Sequence, residues 1–305
     1  MVQRSMVQRS MLFVPGIRPA MIAKAAASAA DSVCIDLEDA VGTEDKVEAR
    51  RLTIQALREL DFGRRIRMVR VNAIDTPFCY RDIVEVVEAA GDRMDRIMLP
   101  KVHCAADVGF LERLLTQIEM NKGYTQQLRL EVQIESAAGF LNAQQIAVAS
   151  PRIAAIIFGP GDYAASMRMP LAAIGEPDEY DALYGSHRWH AVMHTIVAAG
   201  RAAGIACIDG PFAGYQDDAG VEHSSRVARA LGFDGKQCIH PRQLAIVNRV
   251  FAPSPQELAE AERVVATGEG SGAGTLDGKM IDAVNFRMAR WVVEQARDIR
   301  ERESN

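Results

Sequence analysis

Eight short apolar runs, each ending abruptly in Gly, Pro or charged residues, recur along this chain of 305 residues. The stretches between them space their apolar residues as helices do. Short runs that hardly alternate with polar residues are typical of parallel strands buried on both faces. In order, the eight runs occupy residues 11–16, 33–39, 66–72, 97–101, 130–135, 156–162, 205–211 and 237–241.

Buried strands that alternate with helices in this way predict the α/β class and, within it, a closed (β/α)8 TIM barrel. Such a barrel takes roughly 250 residues, so we expect one barrel and no second large domain. We assign residues 9–267 to it. Because residues 1–5 are repeated directly as residues 6–10, we expect a disordered segment at 1–8. At 268–305, a Gly-rich linker leads into a C-terminal helical lid that we expect to pack on a neighbouring subunit.

The composition excludes several classes of protein. Charged residues make up 25% of the chain and the formal net charge is -5, so there is no basic surface of the kind that binds nucleic acid. No stretch approaches the roughly 18 uninterrupted apolar residues of a membrane span. The five cysteines lack CxxC spacing, which favours a reducing compartment. We therefore expect a cytoplasmic protein with small-molecule partners and no contact with nucleic acid or membrane.

Two acidic residues close neighbouring runs, Glu135 the fifth and Asp162 the sixth. In a closed barrel the carboxyl ends of the strands surround one mouth, so both side chains are expected there. Two carboxylates with room for water and substrate oxygens are a typical protein contribution to a Mg2+ site. The alternative is that Asp162 caps the helix that follows it. The turn Gly159-Pro-Gly161 favours close approach of a substrate carboxylate to the backbone.

Arg70 closes the third run and is the cation expected at this mouth. A guanidinium holds a carboxylate through two hydrogen bonds or stabilises a developing enolate oxygen. An ion pair with Glu38 or Asp39 is a compatible second role. Because side chains alternate along a strand, Asp36, Glu38 and Asp39 are not expected to face one side together; one or two of them orient Arg70 or metal-bound waters. For Lys101, a structural salt bridge is as well supported as a role at the site.

Other motifs favour different interpretations. The Gly- and Pro-containing stretch 163–186 is long enough to form a lid over the site. His187, His190 and His194 share helical spacing, and we favour helix packing over a zinc site because no acid completes an HExxH pattern. There is no GxSxG nucleophile motif. A metal, a cation and acids at a barrel mouth point to carbon–carbon bond chemistry on a metal-bound carboxylate substrate.

Motifs spread over most of the chain carry a family resemblance. They are Arg9-Ser-Met-Leu-Phe-Val-Pro-Gly16, Asp36-Leu-Glu-Asp-Ala-Val41, Arg70-Val-Asn72, Pro100-Lys101, Ile134-Glu135, Phe158-Gly-Pro-Gly-Asp162, Asp209-Gly-Pro211 and Gly235-Lys-Gln-Cys-Ile-His-Pro241. Their joint pattern resembles the citrate lyase β-subunit-like branch of the HpcH/HpaI aldolase superfamily, from about residue 9 to residue 295. Within that branch, the chain is most similar to the malyl-CoA/β-methylmalyl-CoA lyases.

The resemblance implies a Mg2+-dependent (β/α)8 barrel, with Mn2+ as a substitute ion. It implies reversible, Claisen-type cleavage of a 3-hydroxyacyl-CoA, L-malyl-CoA or β-methylmalyl-CoA, to glyoxylate and acetyl-CoA or propionyl-CoA. The implied partners are an acyl-CoA, whose coenzyme A portion the protein binds, and a glyoxylate-like keto acid. A homo-oligomer, trimer or hexamer, is implied as well.

The resemblance also assigns residues. It makes Glu135 and Asp162 the metal ligands, and it makes Arg70 the group that binds and polarises the reacting oxygens. Asp282, beyond the barrel, is implied to be the acid supplied to a neighbouring protomer's site. The expected substrate contacts are Arg70, Gly159, Gly161 and Asp162. The expected coenzyme A contacts are Arg18, Lys24, Gly210 and Pro211.

Three alternative functions stay open at this point. A lyase acting on citryl-CoA or citramalyl-CoA would use the same metal and arginine with a larger keto-acid pocket. A malyl-CoA thioesterase would use Asp282 to activate water and would release malate and free CoA. A barrel that only binds is disfavoured, because Arg70, Glu135, Asp162 and Asp282 are all present.

Overall fold

Eight parallel strands close into a barrel in the computed structural model of the chain, which describes residues 7–185, 187–268 and 274–304. The strands are β1 (Ser10–Pro15), β2 (Ser32–Asp36), β3 (Ile66–Arg70), β4 (Arg96–Leu99), β5 (Arg129–Ile134), β6 (Ile153–Phe158), β7 (Ala206–Asp209) and β8 (Gly235–Cys238). Each strand pairs in parallel with the next, and β8 pairs with β1. The predicted (β/α)8 TIM barrel is confirmed.

Helices follow the strands and cover the outside of the barrel. In the described part of the chain they are α1 (Pro19–Ala26), α2 (Lys46–Glu59), α3 (Cys79–Ala90), α4 (Ala105–Lys122), α5 (Ala137–Leu141), α6 (Ala143–Ala147), α7 (Pro160–Ser166), α8 (His190–Ala203), α9 (Asp218–Leu231), α10 (Leu244–Val250), α11 (Pro255–Ala266) and α12 (Ala283–Ser304). None of these described helices combines the length and the apolarity that crossing a membrane requires.

The alternation of side chains along each strand divides the residues between the barrel interior and the outer helices. An apolar cluster rich in methionine fills part of the interior: Met11, Cys34, Met68, Met98, Ala155, Ile157 and Ile208. Two residues further along their strands, Phe13, Asp36 and Arg70 line the next level towards the mouth. The same alternation that buries Met68 therefore turns Arg70 inward.

The opposite end of the barrel, formed by the beginnings of the strands, also has a polar interior. Arg96 pairs with Glu131 at 2.5 Å, and Gln8 donates a hydrogen bond to the same carboxylate at 2.9 Å. Gln8 is buried, so the predicted disorder of residues 1–8 is wrong for its last residue. Residues 1–6 of that segment lie outside the described residues.

The C-terminal helix α12 docks on this same end of its own barrel. Arg302 donates to the backbone oxygens of Val7 and Arg64, both at 3.1 Å, and its Nε lies 3.2 Å from Asp31 Oδ1. Glu303 accepts a hydrogen bond from Arg9 at 3.0 Å. The last turns of α12 thus pack on their own chain, at the end of the barrel away from the mouth. The packing of the lid on a neighbouring subunit stays a prediction.

A short antiparallel hairpin precedes α12, formed by β9 (Gly274–Leu276) and β10 (Lys279–Ile281). Its turn residues, Asp277 and Gly278, have φ values of +52° and +75°. Asp-Gly is the preferred pair for such a turn, so the sequence contained the signal, although we predicted no hairpin between the linker and the final helix. Most of the predicted Gly-rich linker, residues 269–273, lies outside the described residues.

Candidate active site

A cavity of about 410 Å3 opens at the carboxyl ends of the strands. We call it the mouth cavity. Its lining includes eight of the residues that the sequence singled out: Asp36, Asp39, Arg70, Glu135, Gly159, Gly161, Asp162 and Pro211. Residues far apart in the sequence are therefore brought together at one end of the barrel, as predicted.

Arg70 is held rigidly by Asp36. The two residues are paired in register on β3 and β2, and both face the barrel interior. Nε and Nη2 of Arg70 each lie 2.7 Å from an oxygen of Asp36, which forms a bidentate ion pair. The ring of Phe13 lies 5.0 Å from the guanidinium carbon and covers one of its faces. The guanidinium is thus fixed before any substrate arrives.

Glu38 and Asp39 approach the same guanidinium, as the predicted ion pair requires, although the predicted alternation did not allow all three acids to face one side. Nη1 of Arg70 lies 3.1 Å from Glu38 Oε2 and 3.6 Å from Asp39 Oδ2. The strand β2 ends at Asp36, whose carboxylate accepts hydrogen bonds from the backbone of Glu38 and Ala40. The chain turns there, so the two-residue period of a strand no longer applies.

Glu135 is 2% exposed and is held from both sides. Its Oε1 accepts a hydrogen bond from the backbone N–H of Lys101 at 2.7 Å, and its Oε2 accepts one from Gln133 at 2.5 Å. Gln133 in turn accepts a hydrogen bond from Gln237 at 2.8 Å. A side chain at Gly159 would place its Cβ 2.5 Å from Glu135, so this position requires glycine.

The two glutamines were missed in the sequence. Gln133 lies two residues before Glu135 on β5, and Glu131 two residues before that, with apolar residues between them. In a strand that is otherwise apolar, polar residues at every second position indicate one polar face. That pattern is the signal that would have placed Gln133 in the barrel interior beside Glu135.

Asp162 lies in the first turn of α7, with its side chain 42% exposed to the cavity and solvent. The residue before that helix is Gly159, and no side chain caps it. The alternative that Asp162 caps the helix is therefore wrong. Its Oδ1 lies 3.6 Å from the ammonium of Lys101.

The mouth carries more negative than positive charge. Its carboxylates are Asp36, Glu38, Asp39, Glu135 and Asp162, and the cations beside them are Arg70, Lys101 and the buried Lys46, whose ammonium donates to the backbone oxygens of Leu37 and Glu38. Three cations against five carboxylates leave two uncompensated negative charges if every group is ionised. The buried groups respond by holding protons: burial, then the nearby Glu38 carboxylate, raises the pKa of Glu135 to about 8. Burial also raises the pKa of Glu38 to about 7, although Arg70 opposes the shift.

The remaining predicted residues lie away from the acids. Arg18 precedes α1 and Lys24 lies in its last turn; both are exposed, and neither lines the mouth cavity, although Met21 of the same helix does. Gly210 is packed so closely that a Cβ there would lie 2.2 Å from Pro160. Asp282 accepts hydrogen bonds from the backbone of the first turn of α12 and does not line the mouth cavity of its own chain.

The histidines form no metal site with neighbouring residues in the described part of the chain. The rings of His190 and His194 lie 5.2 Å apart on α8, and both side chains are exposed.

A second cavity of about 410 Å3 adjoins the first and shares Pro160 and Pro211 with it. The loop after α7 separates the two: Ile174 lines the mouth cavity, and Glu176 lines the second. The predicted lid therefore reaches the site through Ile174 and mainly covers the second cavity.

Comparison with known proteins agrees with this arrangement. The profile of HpcH/HpaI aldolase/citrate lyase matches residues 9–241. The chain belongs to this family. It is a carbon–carbon lyase. The L-malyl-CoA/beta-methylmalyl-CoA lyase of Cereibacter sphaeroides is 46% identical over 299 residues, 94% of each chain.

Two further relatives span the same length. The citrate lyase subunit beta of Leuconostoc mesenteroides is 39% identical over 95% of this chain and 93% of that protein. Among solved structures, CitE from Mycobacterium tuberculosis, in complex with magnesium, acetoacetate and coenzyme A, superposes with a TM-score of 0.76 at 31% identity. That match covers 96% of this chain and 99% of that chain.

Proposed function

We propose that this protein is a Mg2+-dependent lyase that cleaves L-malyl-CoA or β-methylmalyl-CoA reversibly to glyoxylate and acetyl-CoA or propionyl-CoA. The observation that carries the proposal is the placement of Glu135 and Asp162 beside the fixed guanidinium of Arg70 in one cavity. The identity of 46% to a lyase named for these two substrates supports the choice of acyl group.

The residues present fit a magnesium ion. Mg2+ is usually held by one or two carboxylates and keeps several waters or substrate oxygens. Glu135 and Asp162 supply those carboxylates, and the surplus of negative charge in the mouth is what a divalent cation would neutralise. The bound ion would polarise the oxygens of the substrate as a Lewis acid.

Arg70 acts on the oxygen where charge develops. Cleavage of the carbon–carbon bond releases a thioester enolate, and a fixed N–H donor stabilises such an oxyanion more than it stabilises the substrate. The bidentate contact with Asp36 occupies Nε and one N–H of Nη2, so further donors of the guanidinium can face the cavity. Asp36 keeps the guanidinium in place, which avoids reorganisation during the reaction.

Protonation of the enolate requires an acid. We assign this role to Asp282 of a neighbouring protomer in a trimer or hexamer, because Asp282 lies outside the mouth cavity of its own chain. Arg18 and Lys24, exposed at the start and in the last turn of α1, are the cations that we assign to the phosphates of coenzyme A.

A panel of malyl-CoA, β-methylmalyl-CoA, citramalyl-CoA and citryl-CoA, with the products identified, tests the function. With Mg2+, we expect glyoxylate and acetyl-CoA from malyl-CoA. Malate with free CoA, and no glyoxylate, would identify a thioesterase instead. Cleavage of citryl-CoA or citramalyl-CoA, without cleavage of the other two substrates, would identify the alternative lyase with a larger keto-acid pocket.

Subunit complementation tests the role of Asp282. Glu135→Gln and Asp282→Asn should each be inactive alone. After the two variants are dissociated together and reassembled, activity should return, because some sites then combine an intact mouth with an intact Asp282. Mixed oligomers, verified by mass, that stay inactive would rule out an acid supplied by the neighbour.

A further inference from the structure

Lys101 has a backbone conformation that is unusual for its residue type. Its φ is +50°, in the left-handed region that residues other than glycine seldom adopt and that is often found at functional sites. This conformation points the backbone N–H at Glu135 Oε1, at 2.7 Å. It also directs the side chain into the group of acids beside Arg70.

The ammonium of Lys101 is shared among three carboxylates. Nζ lies 2.7 Å from Glu38 Oε1, 3.2 Å from Asp39 Oδ1 and 3.6 Å from Asp162 Oδ1. The shortest contact, to Glu38, is a hydrogen bond with the side chain partly buried. Glu38 is therefore the principal partner of Lys101.

Glu38 stands between two cations but bonds well to only one of them. Its Oε2 lies 3.1 Å from Nη1 of Arg70, yet this buried oxygen accepts no hydrogen bond from any described residue. The distance is short enough, so the geometry is misaligned. While Lys101 holds Oε1, Glu38 does not take up the Nη1 hydrogens of Arg70.

We propose that Lys101 is a positioning residue that keeps Glu38 from saturating Arg70, so that Nη1 of Arg70 can donate to the reacting oxygen of the substrate. The inference rests on the proposed role of Arg70. A buried carboxylate oxygen without a partner is costly. Without the ammonium, Glu38 is expected to turn and close a full hydrogen bond on Nη1, which removes the donor that the substrate needs.

A second-site rescue tests this directly. Lys101→Met should lower kcat for malyl-CoA about a hundredfold, at the lower end of the range for loss of one oxyanion donor. Adding Glu38→Gln to the same chain should raise kcat again about tenfold, because the neutral amide of glutamine attracts Nη1 of Arg70 far less than a carboxylate does. Lys101→Arg should retain more activity than Lys101→Met. A double variant no more active than Lys101→Met, or a Lys101→Met variant with the kcat of the original protein, would overturn the proposal.

Lys101→Gly is the matched variant, since glycine tolerates the positive φ and keeps the N–H to Glu135. It should show the same loss and the same rescue by Glu38→Gln, and it serves if Lys101→Met fails to fold. Mg2+ affinity, measured by calorimetry without substrate, should stay within about threefold of the original in both variants. A tenfold weakening would mean that Lys101 serves the metal carboxylates instead.

Pyruvate binding in the presence of Mg2+ separates this inference from the proposed function. Pyruvate is used as a keto-acid probe whose affinity does not depend on cleavage of any acyl-CoA. We expect Lys101→Met to weaken it about tenfold and the added Glu38→Gln to restore it, with Arg70→Met as the reference for complete loss. If the acyl-CoA panel fails while this pattern holds, the inference survives; an unchanged pyruvate affinity in Lys101→Met overturns it.

Discussion

At the bottom of the barrel three arginines meet three carboxylates, whereas at the mouth three cations face five carboxylates. The bottom network joins Arg9, Arg96 and Arg302 to Asp31, Glu131 and Glu303. Both networks are built largely from buried side chains on or next to the barrel strands. They differ in what surrounds them: the start of the chain and α12 cover the bottom, whereas the mouth opens into a cavity.

This difference separates stability from chemistry. A balanced and covered ionic network costs free energy when one partner is removed, because a buried charge is left without its partner. In an unbalanced network beside a cavity, the buried carboxyl groups have raised pKa values until a ligand of opposite charge binds. The following variants compare matched residues at the two ends, from the largest expected effect to the smallest.

Glu131 on β5 and Glu135, the residue directly after that strand, lie four residues apart and face the same barrel interior. Glu135→Gln should lower kcat by a thousandfold or more and abolish Mg2+ binding, while costing about 1 kcal/mol or less in stability. Glu131→Gln should lower the free energy of unfolding by about 3 kcal/mol, because Arg96 loses its partner, with kcat nearly unchanged. Steady-state kinetics, calorimetry and urea unfolding measure the three quantities. A Glu131→Gln variant that loses activity without losing stability would contradict the assignment of the bottom network to stability.

Arg70 and Arg96 form the second pair. Arg70→Lys keeps the charge but loses the bidentate contact with Asp36, so kcat should fall about a hundredfold. Arg96→Lys should leave kcat within about threefold of the original value, since the oxyanion donor of the mouth is untouched, and should lower stability. Thermal unfolding and steady-state kinetics on the same preparations measure the two effects. Equal losses of kcat in the two variants would mean that the two ends of the barrel are coupled.

Mg2+ affinity should depend on pH because the metal needs the Glu135 carboxylate in its charged form. The pKa of Glu135 is raised from 4.5 to about 8, so below pH 8 the proton competes with the metal. The dissociation constant should fall about tenfold per pH unit from pH 6 to 8 and then level off. Glu38→Gln should move the plateau to lower pH, since Glu38 contributes to the shift. Calorimetric titrations that are flat from pH 6 to 8 would contradict this account.

Arg302→Met tests the bottom of the barrel with the smallest expected effect. The change removes the hydrogen bonds to Val7 and Arg64 and the ion pair to Asp31, and should cost about 1–2 kcal/mol. Hydrogen exchange should become faster in the last turns of α12. Mg2+ affinity should not change, because the mouth lies at the other end of the barrel; a weaker affinity would show that the two ends are linked.

Much of the fold and part of the site could be predicted from the sequence. The apolar runs predict the strands because a strand that is buried on both faces needs apolar residues at nearly every position. Glu135, Asp162 and Arg70 were placed at one mouth because the carboxyl ends of barrel strands always meet there. The ion pair of Arg70 with Glu38 or Asp39 was predicted, but not that Asp36, Glu38 and Asp39 all face it, since no local pattern shows that the chain turns immediately after Asp36.

Long-range contacts account for most of what was missed. The docking of Arg302 against Asp31 joins residues 271 positions apart, and nothing in either segment indicates the other. From the sequence, a role of Lys101 in the site was no better supported than a structural salt bridge. Its left-handed backbone, and the contact of its N–H with Glu135, exist only once β4 and β5 are paired.

The sequence by itself determined the barrel, its one active end and the residue types that gather there, because strand burial and strand order are local and topological properties. Only the tertiary structure decided how charge is shared among those residues. The pairing of Arg70 with Asp36, the place of Glu38 between two cations and the protonation of Glu135 depend on distances of a few ångströms between separate strands. Electrostatic interactions in a buried site change steeply over such distances, and no spacing along the chain records them.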